Sequence, residues 1–548
     1  MTKGKQEKAP GRSSTRSGLP WAEWGVAILL TGAALFFHFA FFTHAGALWR
    51  DEVNSVEFAS MPSVSSTFAA LQYDSFPLLS TLLLRGWVAK GLGTDQGLRV
   101  FGFLVGVLVL SALWLTCRLF GCRVPLISMT LVGLNPWMIR TTDSIRPYGI
   151  GIALIVATLG CVWKAVETSK RNWFVAASIL AVLSVQCMYQ NAFLLLAICF
   201  AGAVVSLRNS RFKTAMGLML VGLVAAASLV PYLPSIAAAH GWGILVRRPV
   251  SMQRLWDVLV QALGFGSVLS AWPWIGLAIL CGVVGLIGLL SRRKQHAARA
   301  RSNLALFCAT VLVVAAGTYL AALKSAQLLT QPWYYAPLIV LVAPTLDATT
   351  WLIATTDQWR RIVRVAGALG IACTMAIPGW PQVHERWTNI DVTASKIAKN
   401  AAPGDLVVLY PFWLGIAFQR YYKGPAEVVT VPPLEDVHIV RYDLVKAAMA
   451  RSGAVDPTLD AAAKTLQSGH RVWWVAGLPL RQDPPPVLPP APLPGSGWYL
   501  GPYLFGWGRQ AEYFLETHGT KVDFLDVRAK GPVDIYENVA VATVSGWR

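Results

Sequence analysis

Eleven apolar stretches long enough to cross a bilayer fall near residues 22–42, 98–117, 124–140, 148–166, 173–189, 191–207, 214–234, 271–291, 303–323, 332–353 and 362–380. About 20 predominantly apolar residues span the hydrocarbon core as a helix. Inside it every backbone polar group must find a partner within the protein. The chain has 548 residues, is 55% hydrophobic and 14% charged, and has a mean hydropathy of +0.50. These features predict a polytopic α-helical membrane protein with about eleven transmembrane helices.

The formal charge of +19 does not point to nucleic acid, because of where it lies. The first 383 residues carry 31 basic and 12 acidic side chains, and the remainder carries 16 of each. Excess cations in a membrane half are topology signals and headgroup anchors. With the N-terminus cytoplasmic, the basic loops Arg118 with Arg123, Lys164 to Arg171, Arg208 to Lys213, Arg292 to Arg301 and Arg360 to Arg364 all fall on the inner side. An odd number of spans then puts the first loop, the Asp143, Arg247 and Lys324 loops and the C-terminal region outside. The expected location is a bacterial-type plasma membrane.

Residues 1–20 read as a basic cytoplasmic segment with Lys3, Lys5, Lys8, Arg12 and Arg16. His38 and the Phe36-Phe37 and Phe41-Phe42 pairs make a poor cleavage site, so the first apolar segment is expected to be retained. Residues 21–383 form the membrane domain, with a long first outer loop over 43–97. Within it, Pro77 to Lys90 is apolar but short and interrupted by Arg85, which predicts an amphipathic helix along the interface. Residues 384–548 read as a small extracytoplasmic α/β domain: a helix over 392–401, a turn at Pro403-Gly404-Asp405, and strands at Leu406 to Tyr410 and Arg471 to Ala476. The proline-rich run Asp483 to Gly495 is expected to be a stiff spacer. All eight cysteines, Cys117 to Cys373, lie in or beside apolar segments and read as small buried hydrophobes.

Charge beside hydrocarbon is usually tied to work on a substrate. Asp51 and Glu52, the one adjacent acidic pair in the first 383 residues, follow the first apolar segment directly. They also fit the first turn of a helix, where acids are favoured. A second cluster, Thr141 to Gly149, holds Asp143, Arg146 and Tyr148 on the same face. Arg146 precedes Pro147 at a helix start, where a cation offsets no dipole. An anion partner explains it, and so does snorkelling to the interface. Arg247, Arg248 and Lys324 have the same two readings, substrate phosphate or lipid headgroup.

Histidines His38, His44, His240 and His384 show no metal-ligand spacing, so no structural zinc is expected, while a divalent cation at Asp51 and Glu52 stays open. No Gly-rich phosphate loop occurs, which argues against cytosolic nucleotide chemistry.

Taken in order, these pieces resemble the GT-C class of membrane glycosyltransferases, in particular the protein O-mannosyltransferase and lipid A aminoarabinose transferase group. The resemblance rests on Trp49-Arg50-Asp51-Glu52, Tyr73 to Leu78, Leu98-Arg99-Val100, Asn135-Pro136-Trp137, Asp143 and Arg146-Pro147-Tyr148. It covers roughly residues 20–350. It implies transfer of a sugar from a polyprenyl-phosphate donor to a lipid, glycan or protein acceptor, with inversion and with Asp51 as the catalytic carboxylate beside Glu52. The chain departs from the family pattern around Asp74 and Pro77, where a histidine before two prolines is usual. It departs again at Gln331 to Pro337, where Tyr334 and Tyr335 stand without the family's arginine.

The chemistry asks for such residues independently. A carboxylate accepts the acceptor hydroxyl's proton. A leaving phosphate needs cations and not an acid. Arg50, Arg146, Arg247, Arg248 and Lys324 are the candidates, with Arg50 equally suited to keeping Asp51 ionised. The competing readings are a transporter or flippase of a lipid-linked or anionic solute, and a membrane anchor for an exported binding domain. A transporter would be expected to show discontinuous spans with ionisable groups near the midplane, and repeated halves. Neither is visible in the sequence.

Overall fold

The computed structural model describes residues 19–264, 268–290, 296–353, 357–476, 483–486 and 488–548. The basic N-terminal residues Lys3 to Arg16 lie outside the described residues, as do Arg292, Arg293 and Lys294 of one loop expected on the inner side. Among the described residues, nine helices are long and apolar enough to cross a membrane: Trp21–His44, Asp95–Leu119, Tyr148–Thr168, Asn191–Arg208, Phe212–Gly243, Ser270–Leu290, Ala298–Ala326, Pro332–Ile353 and Gln358–Gln382. A tenth, Arg171–Cys187, is apolar but has 17 residues. Tyr148–Thr168 and Pro332–Ile353 are buried nearly all round and form the centre of the bundle. The helices around residues 212–243 and 270–290 turn Leu220, Leu223, Ile279 and Leu286 outward, as lipid-facing helices do.

The stretch 124–140 is not one continuous span. It forms two short helices, Ile127–Gly133 and Pro136–Thr142. Pro136 has no N–H to donate and pushes Asn135 out of the helical region, to φ −89° and ψ 113°. The Asn135 side chain caps the second helix by accepting from the Met138 N–H at 3.2 Å and donates to the carbonyl of Ala262 at 3.1 Å. Residues 124–142 are buried throughout. Interrupted backbone at membrane depth is tolerated only where protein encloses it. The transporter reading's expectation of a discontinuous span is therefore met by a segment whose break the sequence did not reveal.

At one end of the bundle Arg364 bonds Asp347 at 2.7 Å and pairs with Glu23, while Asp347 also accepts from Ser128 at 2.9 Å. At the other end lies the first loop, with helices Arg50–Ser60, Val64–Ala70 and Leu79–Trp87. The expected amphipathic helix is Leu79–Trp87, with Ser80, Thr81 and Leu84 buried. Arg85 donates to the carbonyls of Met61 and Ala59 at 2.6 and 3.3 Å, satisfying the end of the helix Arg50–Ser60.

The C-terminal region is an α/β domain. Its strands are β1 (Arg386–Thr388), β2 (Leu406–Leu409), β3 (Glu427–Thr430), β4 (Arg471–Ala476), β5 (Gly519–Leu525), β6 (Val533–Glu537) and β7 (Ala540–Trp547). The main sheet runs β3-β2-β4-β7-β5, with β3, β2 and β4 parallel and β7 antiparallel to both neighbours. β1 and β6 form a separate parallel pair. The expected helix and strands appear as Ile390–Asn400, β2 and β4. The proline-rich run is not a free spacer: Ala491 N donates to the Met449 carbonyl at 2.8 Å, and the Tyr503 hydroxyl donates to that of Pro489 at 2.9 Å.

This domain sits on the first loop. Arg420 and Tyr421 bond the two oxygens of Asp95 at 2.7 and 2.6 Å, Leu48 N donates to the Tyr421 hydroxyl at 2.8 Å, and Val440 N donates to Asn54 at 2.9 Å. The first loop and the C-terminal domain thus share one end of the bundle.

Candidate active site

The helix Arg50–Ser60 opens with a buried Trp49 that has no capping side chain of its own. Helix starts leave backbone N–H groups without partners. Glu52 satisfies one: its carboxylate is fully buried and accepts from Trp49 N at 3.3 Å. The same carboxylate accepts from Ile145 N at 3.1 Å and from Arg99 at 2.8 Å. Arg99 in turn donates to the carbonyls of Gly46 and Ala47 at 3.2 and 2.7 Å. Glu52 thereby ties the first loop to the second span and to the corner before Arg146.

Asp51 points the other way. Its side chain is 29% exposed and lines a narrow hollow together with Trp49, Arg140, Thr141, Ser144, Arg146, Tyr148, Trp333 and Trp387. Arg50 Nε stands 3.4 Å from Asp51 Oδ1. Arg146 reaches across from the corner between Pro136–Thr142 and Tyr148–Thr168. It donates to the Asp51 carbonyl and to Ser55 Oγ, both at 3.1 Å, and lies 4.8 Å over the Phe76 ring. Its nearest carboxylate is Asp74 at 3.9 Å, and its Nε is buried without a partner. Burial pushes the Asp74 carboxyl upward, against the pull of Arg146.

The opposite wall is aromatic, and one of its three tryptophans belongs to the C-terminal domain. Trp49 stacks on Trp387 of β1 with centroids 4.8 Å apart, and Trp333 meets Trp49 edge-on at 5.8 Å. Arg140 lies 3.9 Å over Trp387 and is 2% exposed. It bonds Glu385 at 2.7 Å and Asp534 at 2.6 Å, both from the C-terminal region. The indole N–H groups of Trp49 and Trp387, and Nε of Arg140 and Arg146, are buried donors without partners. A hollow bordered by unpaired donors and a carboxylate suits a ligand rich in acceptor oxygens.

The expected site residues therefore divide. Asp51, Arg146 and Tyr148 line the hollow; Arg50 stands beside it, and the charges of Asp51 and Arg146 reach Tyr334. Glu52, expected to be catalytic, is turned away and committed to Arg99. The two adjacent carboxylates do not converge, which leaves no shared seat for a divalent cation. Among the described residues no group of three or more His, Cys, Asp and Glu is placed to hold a metal. Asp143, expected to bind substrate, is instead buried against His38, which approaches its two oxygens at 2.8 and 2.9 Å. That pair occupies the space left by Gly106, where a Cβ would meet Asp143 Oδ1 at 2.0 Å.

Tyr335 is also structural, donating to the Leu255 carbonyl at 3.1 Å. Arg247 pairs with exposed His240 at 2.6 Å, Arg248 N donates to the Gln327 carbonyl at 2.6 Å, and Lys324 is exposed at a helix end. None of the three lines the hollow. Arg140, Trp333 and Trp387 were not anticipated. Arg140 carried a signal, a cation closing a membrane-length run; Trp387, just past the domain boundary, carried none.

No family model matches the chain, and no curated protein matches it. Among solved structures, the chain is similar to ArnT from Cupriavidus metallidurans bound to undecaprenyl phosphate, at 15% identity and a TM-score of 0.47 over 84% of this chain and 93% of that one. It is similar to apo ArnT from the same organism at 16% identity and a TM-score of 0.49, over 83% and 93%. It is also similar to the arabinofuranosyltransferase AftD from Mycobacteria at 14% identity and a TM-score of 0.38, over 95% of this chain and 41% of that one.

Proposed function

We propose that the protein is a membrane glycosyltransferase that moves a hexosyl or pentosyl group from a polyprenyl-phosphate donor to a lipid, glycan or protein acceptor at the outer face of a plasma membrane. The observation that carries this reading is the convergence of one hollow-facing carboxylate, Asp51, with Arg146, Arg140 and Tyr148 where the ends of the membrane helices meet the C-terminal domain. A lipid-anchored phosphate lies at that depth, at the level of the headgroups.

In the proposed step the acceptor oxygen bonds to the anomeric carbon as the bond from that carbon to the phosphate oxygen breaks, with the electron pair leaving on the phosphate. Asp51 takes the hydroxyl proton and faces the positive charge that develops on the sugar. Arg146 meets the leaving phosphate: its Nε has no partner and its closest carboxylate is beyond hydrogen-bond reach. Arg140 is already paired twice and orders the aromatic wall. A single displacement inverts the anomeric centre.

The test is the full-length protein in detergent with a panel of prenyl-phosphate sugars, following prenyl-phosphate release. Release that stops in Asp51→Asn supports the reading. Release undiminished in that variant, or absent across the panel in the wild type, overturns it.

A further inference from the structure

We propose that Glu537, at the end of β6 in the C-terminal domain, is a positioning residue for Asp51: it caps the helix that carries Asp51 and competes with Asp51 for Arg50. This rests on the reading of Asp51 as the base.

The helix Arg50–Ser60 lacks a cap from Trp49, and Glu52 serves only the Trp49 N–H. The next free donor, Arg50 N, is met from 487 positions away in sequence. It donates to Glu537 at 3.2 Å from Oε1 and 3.4 Å from Oε2. A carboxylate here also faces the positive end of the helix dipole. The Arg50 side chain then lies between two acids, with its Nε 3.4 Å from Asp51 Oδ1 and 3.7 Å from Glu537 Oε1. Its guanidinium is held in place 5.0 Å over the Trp413 ring.

Glu537 is fully buried, and burial pushes its carboxyl up to about 7, with Arg50 pulling down and Asp51 pushing further up. The charged groups facing it are Arg50 and Asp51, with the Thr388 hydroxyl from β1; Asp534 on its own strand is turned to Arg140. Below that pH Glu537 is neutral, and Arg50 attracts Asp51 alone. Above it, ionised Glu537 shares Arg50 and loosens its hold on Asp51. The C-terminal domain thereby sets how tightly Arg50 holds Asp51.

Two variants of the full-length protein separate the cap from the charge. Glu537→Ala removes both, and hydrogen exchange at residues 50–53 is expected to speed up by roughly tenfold or more, while Glu537→Gln keeps an acceptor and stays near wild type. With a prenyl-phosphate sugar that the wild type turns over, kcat is expected to rise through one inflection near pH 7, as Glu537 ionises and Arg50 loosens from Asp51. Glu537→Gln loses that inflection, with the donor KM within about twofold of wild type.

An inflection near pH 7 that persists in Glu537→Gln, or unchanged exchange in Glu537→Ala, overturns the proposal. If the wild type turns over no prenyl-phosphate sugar, the glycosyltransferase reading fails, while the exchange measurement still decides whether Glu537 caps the helix.

Discussion

Asp51 and Glu52 are neighbours in sequence and opposites in environment, so neutralising each in turn should separate catalysis from stability. Glu52 is fully buried and bonds Arg99, Ile145 N and Trp49 N. Glu52→Ala leaves the Arg99 guanidinium buried against two carbonyls with no carboxylate bonded to it, a loss of about 3–5 kcal/mol, to which the missing cap adds about 1 kcal/mol. Glu52→Gln keeps one acceptor and turns an amide N–H toward Trp49 N, costing about 2–3 kcal/mol. Asp51 is partly exposed and meets Arg50 at 3.4 Å, so Asp51→Asn should cost under about 1 kcal/mol. The two isosteric variants should therefore differ by roughly tenfold or more in the folded-to-unfolded ratio.

Transfer should behave in the opposite way. Asp51→Asn should lower kcat by about 10²- to 10⁴-fold, the range for a general base, while correctly folded Glu52→Gln retains most of its turnover. Unfolding of the purified protein in a denaturing detergent, followed by tryptophan fluorescence, supplies the first measurement, and prenyl-phosphate release supplies the second. Removing both charges, in Glu52→Met with Arg99→Met, should recover stability relative to Glu52→Ala. Wild-type turnover in Asp51→Asn, or a Glu52→Gln protein as stable as wild type and inactive, would refute the assignment.

Arg146→Ala should lower kcat/KM for the prenyl-phosphate donor by about 10²- to 10³-fold, with Arg146→Lys restoring part of it, because a lysine keeps the charge but lacks the further guanidinium donors left once one nitrogen has bonded Asp51 and Ser55. Deleting residues 385–548 should abolish transfer in steady-state assays even where the membrane domain inserts, because Trp387, Glu385 and Asp534 go with it and Arg140 loses both partners. Activity retained by that truncation would mean that the C-terminal wall is dispensable. Arg247→Ala, Arg248→Ala and Lys324→Ala should each leave kcat/KM within about twofold of wild type, since none lines the hollow. A large loss in any one would move the phosphate site.

What the sequence revealed follows the range of the forces involved. Hydropathy is a local property, so most spans were readable to within a few residues. Asn135-Pro136 was also local, yet it was absorbed into an apolar run, because hydropathy counts side chains and does not see a lost N–H. For charged residues the sequence marks that a partner is needed without naming it. Glu52 looked like half of a catalytic pair until Arg99 was placed against it, and Asp143 looked available until His38 filled its side of the bundle. Arg85 interrupted an apolar helix for a reason that lies 24 residues upstream, at the Met61 carbonyl. Trp387 and Glu537 were illegible altogether, because their roles depend on β1 pairing with β6 across most of the C-terminal domain.

The interrupted helix 127–142 and the buried His38–Asp143 pair reopen the transporter reading, and their depths weigh against it. His38 stands six residues from the end of its helix, about 9 Å along the axis, and Asp347 lies six residues from the opposite end of Ala336–Ile353, also about 9 Å. The buried charges form two layers near the two ends of the bundle, and Ile152, Ile155 and Leu159 fill the central helix between them. A carrier places its ionisable site near the midplane, where both sides can reach it in turn. Here the carboxylate exposed to the hollow lies on a loop helix at one end, beneath the C-terminal domain and within reach of unpaired donors. That arrangement fits the proposed chemistry on a lipid headgroup better than it fits passage of a solute across the membrane.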